Sequence, residues 1–241
     1  MKVAVFSDIH SNLEALEAVL EDMESQFVTH RMCLGDIVGY SADPSQCVKE
    51  VKALDCSAIK GNHDEEATCD STLDGYNDLA KESLFYSREH LEQSEKEYLN
   101  TLPYELKLSN STFVHSCLCH PENWMYVLSY REASLNFENQ TTPVAFCGHT
   151  HYPLIFENNT PLRAYHTVKK IRLNKRRRYL INVGSVGQPR DGDNRSCYGI
   201  YDPDESFFEF RRVEYDIEKT ADKIVRAGLS PILAARLRAA M

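Results

Sequence analysis

The sequence predicts an α/β fold in which two sheets pack together with helices outside, and three observations predict it. Five short apolar runs in the first 150 residues each end at glycine or a polar residue, as buried strands do. Helix-start signals lie between those runs. Beyond residue 151 the texture changes to strands separated by turn residues.

The first strand, Lys2 to Phe6, runs into Asp8-Ile9-His10. Ser11 and Glu14 then read as a capping box for a helix through Leu13, Leu16, Val19, Leu20 and Met23. Met32 to Leu34 leads to Gly35-Asp36, and Asp43-Pro44 opens a helix toward Ala53, with aspartate as N-cap and proline at the first helical position. Ser57 to Ile59 leads to Gly61-Asn62-His63-Asp64. Tyr76 to Leu91 reads as a packing helix, and Ser94 with Glu97 repeats the capping box before a short helix that stops at Pro103. Thr112 to Val114 precedes His115, and Val144 to Cys147 precedes Gly148-His149-Thr150-His151.

The later strands are Leu154 to Glu157, Leu162 to Val168, Lys170 to Leu173, Tyr179 to Val183, Cys197 to Tyr201 and Phe207 to Val213. From Asp216 a tail of two short helices, broken near Gly228-Leu229-Ser230, carries no legible chemistry. No composition shift marks a linker, so residues 1–241 are expected to form one domain.

A net charge of −9 argues against a general nucleic-acid or membrane surface. It does not describe the pocket, because two divalent ions would add about four positive charges there. The eight cysteines are scattered and lack the spacing of structural zinc sites, so buried apolar roles are expected for most of them. The first strand follows Met1 too closely for a removable signal, and no apolar stretch approaches a membrane span. A cytoplasmic location is the expectation.

The residues past the five early strands are all metal-ligand types. Carboxylate, amide oxygen and imidazole together suit hard and borderline cations, and two ions sharing one site is the natural reading. Loops at the carboxyl ends of strands are where α/β sheets bind ligands, so the five clusters should converge.

Their order, D-x-H, G-D, G-N-H-D, H and G-H-x-H over residues 8 to 151, resembles the signature of calcineurin-like metallophosphoesterases. The resemblance implies a four-layer α/β/β/α sandwich of two mixed sheets. It also implies ligands: Asp8, His10 and His151 for a first metal, Asn62, His115 and His149 for a second, and Asp36 bridging both. The family commonly follows the isolated histidine with glycine, whereas Ser116-Cys117 follows His115, and His120 is its rival. His63 is left without a metal. It is expected to protonate the leaving oxygen or stabilise the phosphoryl group, with Asp64 fixing its tautomer and raising its pKa. The alternative is that His63 packs and Asp64 caps a following turn.

The loop from Asn182 to Arg190 resembles the N-x-G-S segment of the smaller bacterial and archaeal phosphodiesterase branch. Arg190 is a candidate for a second phosphate, with Arg195 behind it. Lys175-Arg176-Arg177-Arg178 reads as a solvated turn. Protein Ser/Thr phosphatases carry Asp-Arg where this chain has Gly39-Tyr40, so a phosphoprotein substrate is disfavoured. Tyr40, Trp124, Tyr126 and Tyr152 are candidates for stacking on a base. The function expected is hydrolysis of phosphodiester bonds in small nucleotides by a metal-bridging hydroxide, with two divalent ions drawn from manganese, iron, zinc, nickel or cobalt. The alternatives are a phosphomonoesterase of the same fold and a non-catalytic metal-binding scaffold for protein contacts.

Overall fold

Alternation along the strands decides the layering. In β1 (Val3–Phe6), Val3 and Val5 point into one hydrophobic cluster while Ala4 and Phe6 point into another, so both faces of the strand are buried. The computed structural model describes residues 1–54, 56–108, 110–166 and 168–241. After β1 come α1 (Leu13–Ser25), β2 (His30–Cys33), α2 (Pro44–Ala53), β3 (Ser57–Ala58), α3 (Asn62–Thr68), α4 (Asp78–His90) and α5 (Gln93–Thr101). Then follow β4 (Glu105–Leu108), β5 (Ser111–Val114), α6 (Tyr130–Asn139), β6 (Val144–Cys147), β7 (Leu154–Glu157) and β8 (Arg163–Tyr165). β9 (Lys170–Arg172), β10 (Tyr179–Asn182), β11 (Ser196–Asp202), β12 (Phe207–Val213), α7 (Ile217–Arg226) and α8 (Pro231–Ala239) complete the chain.

The strands form two mixed six-stranded sheets, ordered β3-β2-β1-β11-β12-β9 and β4-β5-β6-β10-β7-β8. β1, β2 and β3 are mutually parallel in the first sheet, as are β5, β6 and β10 in the second. Val3, Val5, Met32 and Leu34 from the first sheet meet Phe113, Phe146, Ile155 and Ile181 from the second in a core between the sheets. On the outer side of the first sheet, Leu16, Val19 and Met23 of α1 and Val48 and Val51 of α2 cover Phe6 and Cys33. Ala133 and Phe137 of α6 cover Val114, Ala145 and Cys147 of the second. The result is the four-layer α/β/β/α sandwich.

Phe146 is fully buried, with ring centroids 5.2 Å from both Phe113 and Tyr201. Phe146→Ala is therefore expected to cost about 3–5 kcal/mol in a denaturant titration. A loss below about 1 kcal/mol would mean that the two sheets do not share a tightly packed core at this point.

Several boundaries differ from the sequence reading. Asn12, not Ser11, caps α1, accepting a hydrogen bond from the Ala15 amide, because Ser11 lies in the left-handed region at φ 54°. Asp43 precedes α2 as expected, but its carboxylate pairs with Lys223 at 2.7 Å rather than capping. The capping box of α5 is Glu92 with Glu95, two residues earlier than Ser94 and Glu97. The third metal-ligand cluster is not a loop: it opens α3. The sequence reading also passed over α6, although Ser129 and Glu132 form its capping box. The expected strand from Leu162 to Val168 shortens to Arg163–Tyr165, and Thr167 lies outside the described residues.

In the basic run, Arg178 is not a solvated side chain. Its Nη1 donates to the carbonyls of Phe137 and Gln140 at 2.6 and 2.7 Å, closing the C-terminus of α6. Cys33, Cys47, Cys117, Cys147 and Cys197 are buried and unbridged. Among the described residues, no helix is long and apolar enough to cross a membrane.

Candidate metal centre

Each ligand cluster sits just past the carboxyl end of a strand, and the two sheets bring those ends to one place. β1 delivers Asp8 and His10, β2 delivers Asp36, β5 delivers His115 and β6 delivers His149 and His151, while Asn62 and His63 begin α3 after β3. The backbone pays for this convergence in conformation. Asp8, His10, Asp36, Tyr40, His149 and His151 all have positive φ, between 51° and 66°. Each such residue costs on the order of 1 kcal/mol, and such strain gathers at sites whose geometry the surrounding fold over-determines. Gly148 allows a close approach at the site: a methyl group there would come within 2.0 Å of Ser7 Oγ and 2.5 Å of Asp8 Oδ2.

Four imidazoles have one nitrogen committed to a main-chain carbonyl, which can only accept. His10 Nδ1 donates to Val38 O at 3.0 Å, His115 Nδ1 to Leu34 O at 2.7 Å, His151 Nδ1 to Gln188 O at 2.5 Å and His149 Nε2 to Trp124 O at 2.9 Å. The opposite nitrogen of each neutral ring is then a bare lone pair. These lone pairs face each other in two couples, His10 Nε2 with His151 Nε2 at 3.1 Å and His115 Nε2 with His149 Nδ1 at 3.2 Å. The neutral His10–His151 couple then has no proton to share and is repulsive by itself, whereas His115 can keep a second proton toward His149. Imidazole nitrogens bind zinc-like ions at roughly 2.0–2.1 Å, so two of them at right angles around one ion stand about 3 Å apart.

The oxygen donors complete both couples. Asp8 Oδ1 is buried without a hydrogen-bond partner, 3.2 Å from His151 Nε2 and 3.7 Å from His10 Nε2. Its other oxygen accepts from the His149 amide at 3.0 Å. Asn62 Nδ2 donates to the Tyr76 hydroxyl at 3.0 Å, which leaves Oδ1 buried and unpartnered. Asp36 lies between the couples, with Oδ2 3.6 Å from His10 Nε2 and 3.4 Å from His115 Nε2 and with Oδ1 accepting from the His63 amide at 2.8 Å. The donor set fits two cations that share Asp36.

The electrostatics agree. Burial disfavours the charged imidazolium of His10, His149 and His151 and lowers all three, His149 to about 3. Burial also lowers His115, but the Asp36 charge beside it prevails and raises it to about 9. A field that holds a proton on that ring favours a bound cation equally.

His63 lines the same cavity, its ring 4.7 Å from that of Tyr40 and 4.8 Å from that of His10. Its Nδ1 is buried without a partner against Gly39, where a methyl group would come within 2.3 Å of it. Burial pushes its pKa down to about 4, with Asp36 opposing and Arg190 adding to the fall. The expectation that Asp64 orients and raises His63 does not match this geometry. Asp64 Oδ1 accepts from the amides of Ile37 and Val38 at 2.8 and 3.3 Å, and Oδ2 from the Gly61 amide at 3.0 Å. Asp64 therefore caps α3 and fastens the Asp36 loop to it. Burial and Asp36 push its own carboxyl up to about 7 against those three amides.

Tyr40 is buried in the cavity wall, and Arg190 lies beside it with its Cζ 5.6 Å from the ring centroid. Tyr126 stacks on His149 at 4.2 Å and stays 50% exposed. Trp124 contributes its carbonyl to His149, while its indole donates to Glu65 at 3.2 Å. Tyr152 is exposed and does not line the cavity. Arg195 is committed to Asp193 through two hydrogen bonds of 2.9 and 2.7 Å. The side chain of His120, the rival to His115, is 70% exposed and close to Glu122. The sequence reading missed Tyr76 and the carbonyls of Val38, Leu34, Trp124 and Gln188, since a main-chain acceptor carries no residue signature.

A family model described as the calcineurin-like phosphoesterase superfamily domain matches residues 1–206. The uncharacterized protein MJ0912 of Methanocaldococcus jannaschii is 38% identical over 240 residues, covering 98% of this chain and 96% of that protein. The crystal structure of a metallophosphoesterase from Sphaerobacter thermophilus superposes with a TM-score of 0.90 at 38% identity, covering 100% of this chain and 99% of that one. The hypothetical protein PH1004 of Pyrococcus horikoshii OT3 shares the fold at a TM-score of 0.81 and 20% identity, covering 98% and 97%. With this match over most of its length and a relative 38% identical across nearly the whole chain, this chain belongs to the calcineurin-like phosphoesterase superfamily.

Proposed function

We propose that this member of a metal-dependent phosphoesterase family is a two-metal phosphodiesterase acting on small nucleotides. Asp8, His10 and His151 hold one ion, Asn62, His115 and His149 the other, and Asp36 joins them. The observation that carries this reading is the two couples of facing imidazole nitrogens, each ring anchored to a main-chain carbonyl through its other nitrogen. Manganese, iron, cobalt, nickel and zinc suit these donors. When bound, the ions supply Lewis acidity toward phosphoryl oxygens and an activated water nucleophile.

The chain's own groups do the rest. With Nδ1 of His63 buried and unpartnered, a lone pair there costs less than an unpaired N–H, so the neutral ring carries its proton on Nε2. From the cavity wall that N–H can donate a hydrogen bond to a phosphoryl or leaving oxygen as negative charge develops on it. Asp64 is a positioning residue that holds the Asp36 loop and α3 together. Arg190 offers a guanidinium to a substrate phosphate, and the exposed face of Tyr126 offers a stacking surface to a base. The cavity, about 230 Å³, suits a small ester rather than a folded phosphoprotein.

The test is hydrolysis of a panel of phosphodiesters, dinucleotides and phosphomonoesters by protein stripped of metal and reconstituted with each candidate ion. Diesters are expected to be turned over with the higher kcat/KM, and preference for monoesters would replace this reading with a phosphatase. Elemental analysis provides a second check. His115→Ala should deplete bound metal while His120→Ala leaves it nearly intact, and the reverse pattern would remove His115 from the ligand set.

A further inference from the structure

Among the described residues, two guanidinium groups at the edge of the metal centre have no aspartate or glutamate partner. Arg190 lines the cavity, with its Nη2 on Gln188 Oε1 at 2.8 Å and its Nε buried without a partner. Arg236 comes from α8, and its Cζ lies 5.8 Å from the centroid of the same Tyr40 ring that Arg190 approaches to 5.6 Å. Among the described residues, neither forms an ion pair with a side-chain carboxylate, whereas Arg88, Arg195, Arg211, Arg212 and Arg238 all do.

The tail is built to put Arg236 there. Lys223 of α7 pairs with Glu14 at 2.6 Å and Asp43 at 2.7 Å, and Thr220 donates to Asn12 at 3.0 Å. Ile224, Leu229, Leu233 and Leu237 pack in one cluster with Tyr40 itself. Arg236 Nε donates to the main-chain oxygen of Met241 at 2.8 Å, which holds the side chain beside Tyr40. Burial first, and then the nearby Arg190 charge, lower the pKa of Arg236. Two like charges, partly desolvated around one ring, are unfavourable unless an anion offsets them. A phosphate matches the guanidinium fork that each of them offers.

We propose that Arg190 and Arg236, with Tyr40 between them, form a second phosphate subsite beside the metal centre, so that the preferred substrate carries a further phosphate beyond the one being attacked. This deepens the phosphodiesterase reading and rests on it. Tyr40 also touches His10 and His63, their ring centroids 4.7 Å from its own, so the subsite lies one side chain beyond the reacting group.

The test compares calorimetric binding of orthophosphate and of diimidotriphosphate, whose P–N–P bridges resist hydrolysis, to the manganese-loaded protein. Wild type should prefer the longer anion. Arg236→Gln should weaken diimidotriphosphate about 10- to 100-fold more than orthophosphate, the range for losing charge-assisted hydrogen bonds. Arg236→Lys, which keeps the charge and the fold but not the fork, should recover part of the difference. In turnover, Arg236→Gln should raise KM for a dinucleoside polyphosphate far more than for bis(4-nitrophenyl) phosphate, with kcat changing less than KM. Equal effects on short and long anions in both variants would overturn the subsite and leave the phosphodiesterase reading standing. Selective binding of the long anion by a wild type that hydrolyses no diester would overturn that reading and leave the subsite.

Discussion

Replacing Asp36 by asparagine is expected to weaken both metal sites together and to lower kcat/KM by well over the 10- to 100-fold typical of a residue that only supports a ligand. The reason is its position between the two imidazole couples, with Oδ2 within 3.6 Å of His10 Nε2 and 3.4 Å of His115 Nε2. Asparagine keeps the size and one acceptor but removes the shared charge, and its amide nitrogen cannot face two cations. The remaining oxygen can still accept from the His63 amide, so the start of α3 is expected to survive. Elemental analysis of the purified variant beside wild type decides the matter. Two ions still tightly held would show that Asp36 does not join the sites.

His63→Ala is expected to keep both ions and the fold while lowering kcat by about 10² to 10³, the range for losing a positioned hydrogen-bond donor to developing charge. The loss should be smaller for an ester with a nitrophenolate leaving group, which departs with little proton assistance. Equal losses on activated and unactivated esters would assign His63 to orienting the phosphoryl group instead. The pH profile adds a second check. Burial lowers the free-enzyme pKa of His63 to about 4, so the neutral ring that carries the Nε2 proton is present above that pH and lost below it. Its contribution to kcat/KM should therefore appear as a rising limb at or below about pH 4. A fall in kcat/KM between pH 6 and 7 that disappears in His63→Ala would mean that the imidazolium is the active form.

Much of this was legible in the sequence because the signals are local. A short apolar run between polar residues can bury both faces only inside a layered sheet, and β1 and β6 appear where such runs of four stand. That these carboxylates and imidazoles converge was legible too, since each stands immediately past a strand whose carboxyl end faces the same place. The start of α2 at Pro44 follows from proline's fixed φ and needs nothing from the rest of the chain.

The tertiary structure decided what depends on residues far apart in the chain. Which nitrogen each histidine presents is set by carbonyls of Val38, Leu34, Trp124 and Gln188, and a sequence does not show where a carbonyl points. Ser11 resembles a cap, but the Asp36 loop draws it into the left-handed region through its amide bond to Ile37 O, and Asn12 takes the cap. Asp64 stands next to His63 in sequence, yet on a helix adjacent side chains diverge, and its oxygens turn to the amides of the Asp36 loop. Arg236 had no motif around it at all. Its place beside Tyr40 follows from two helices folding back onto α1 and packing their leucines against the wall of the site, a contact between residues nearly 200 positions apart.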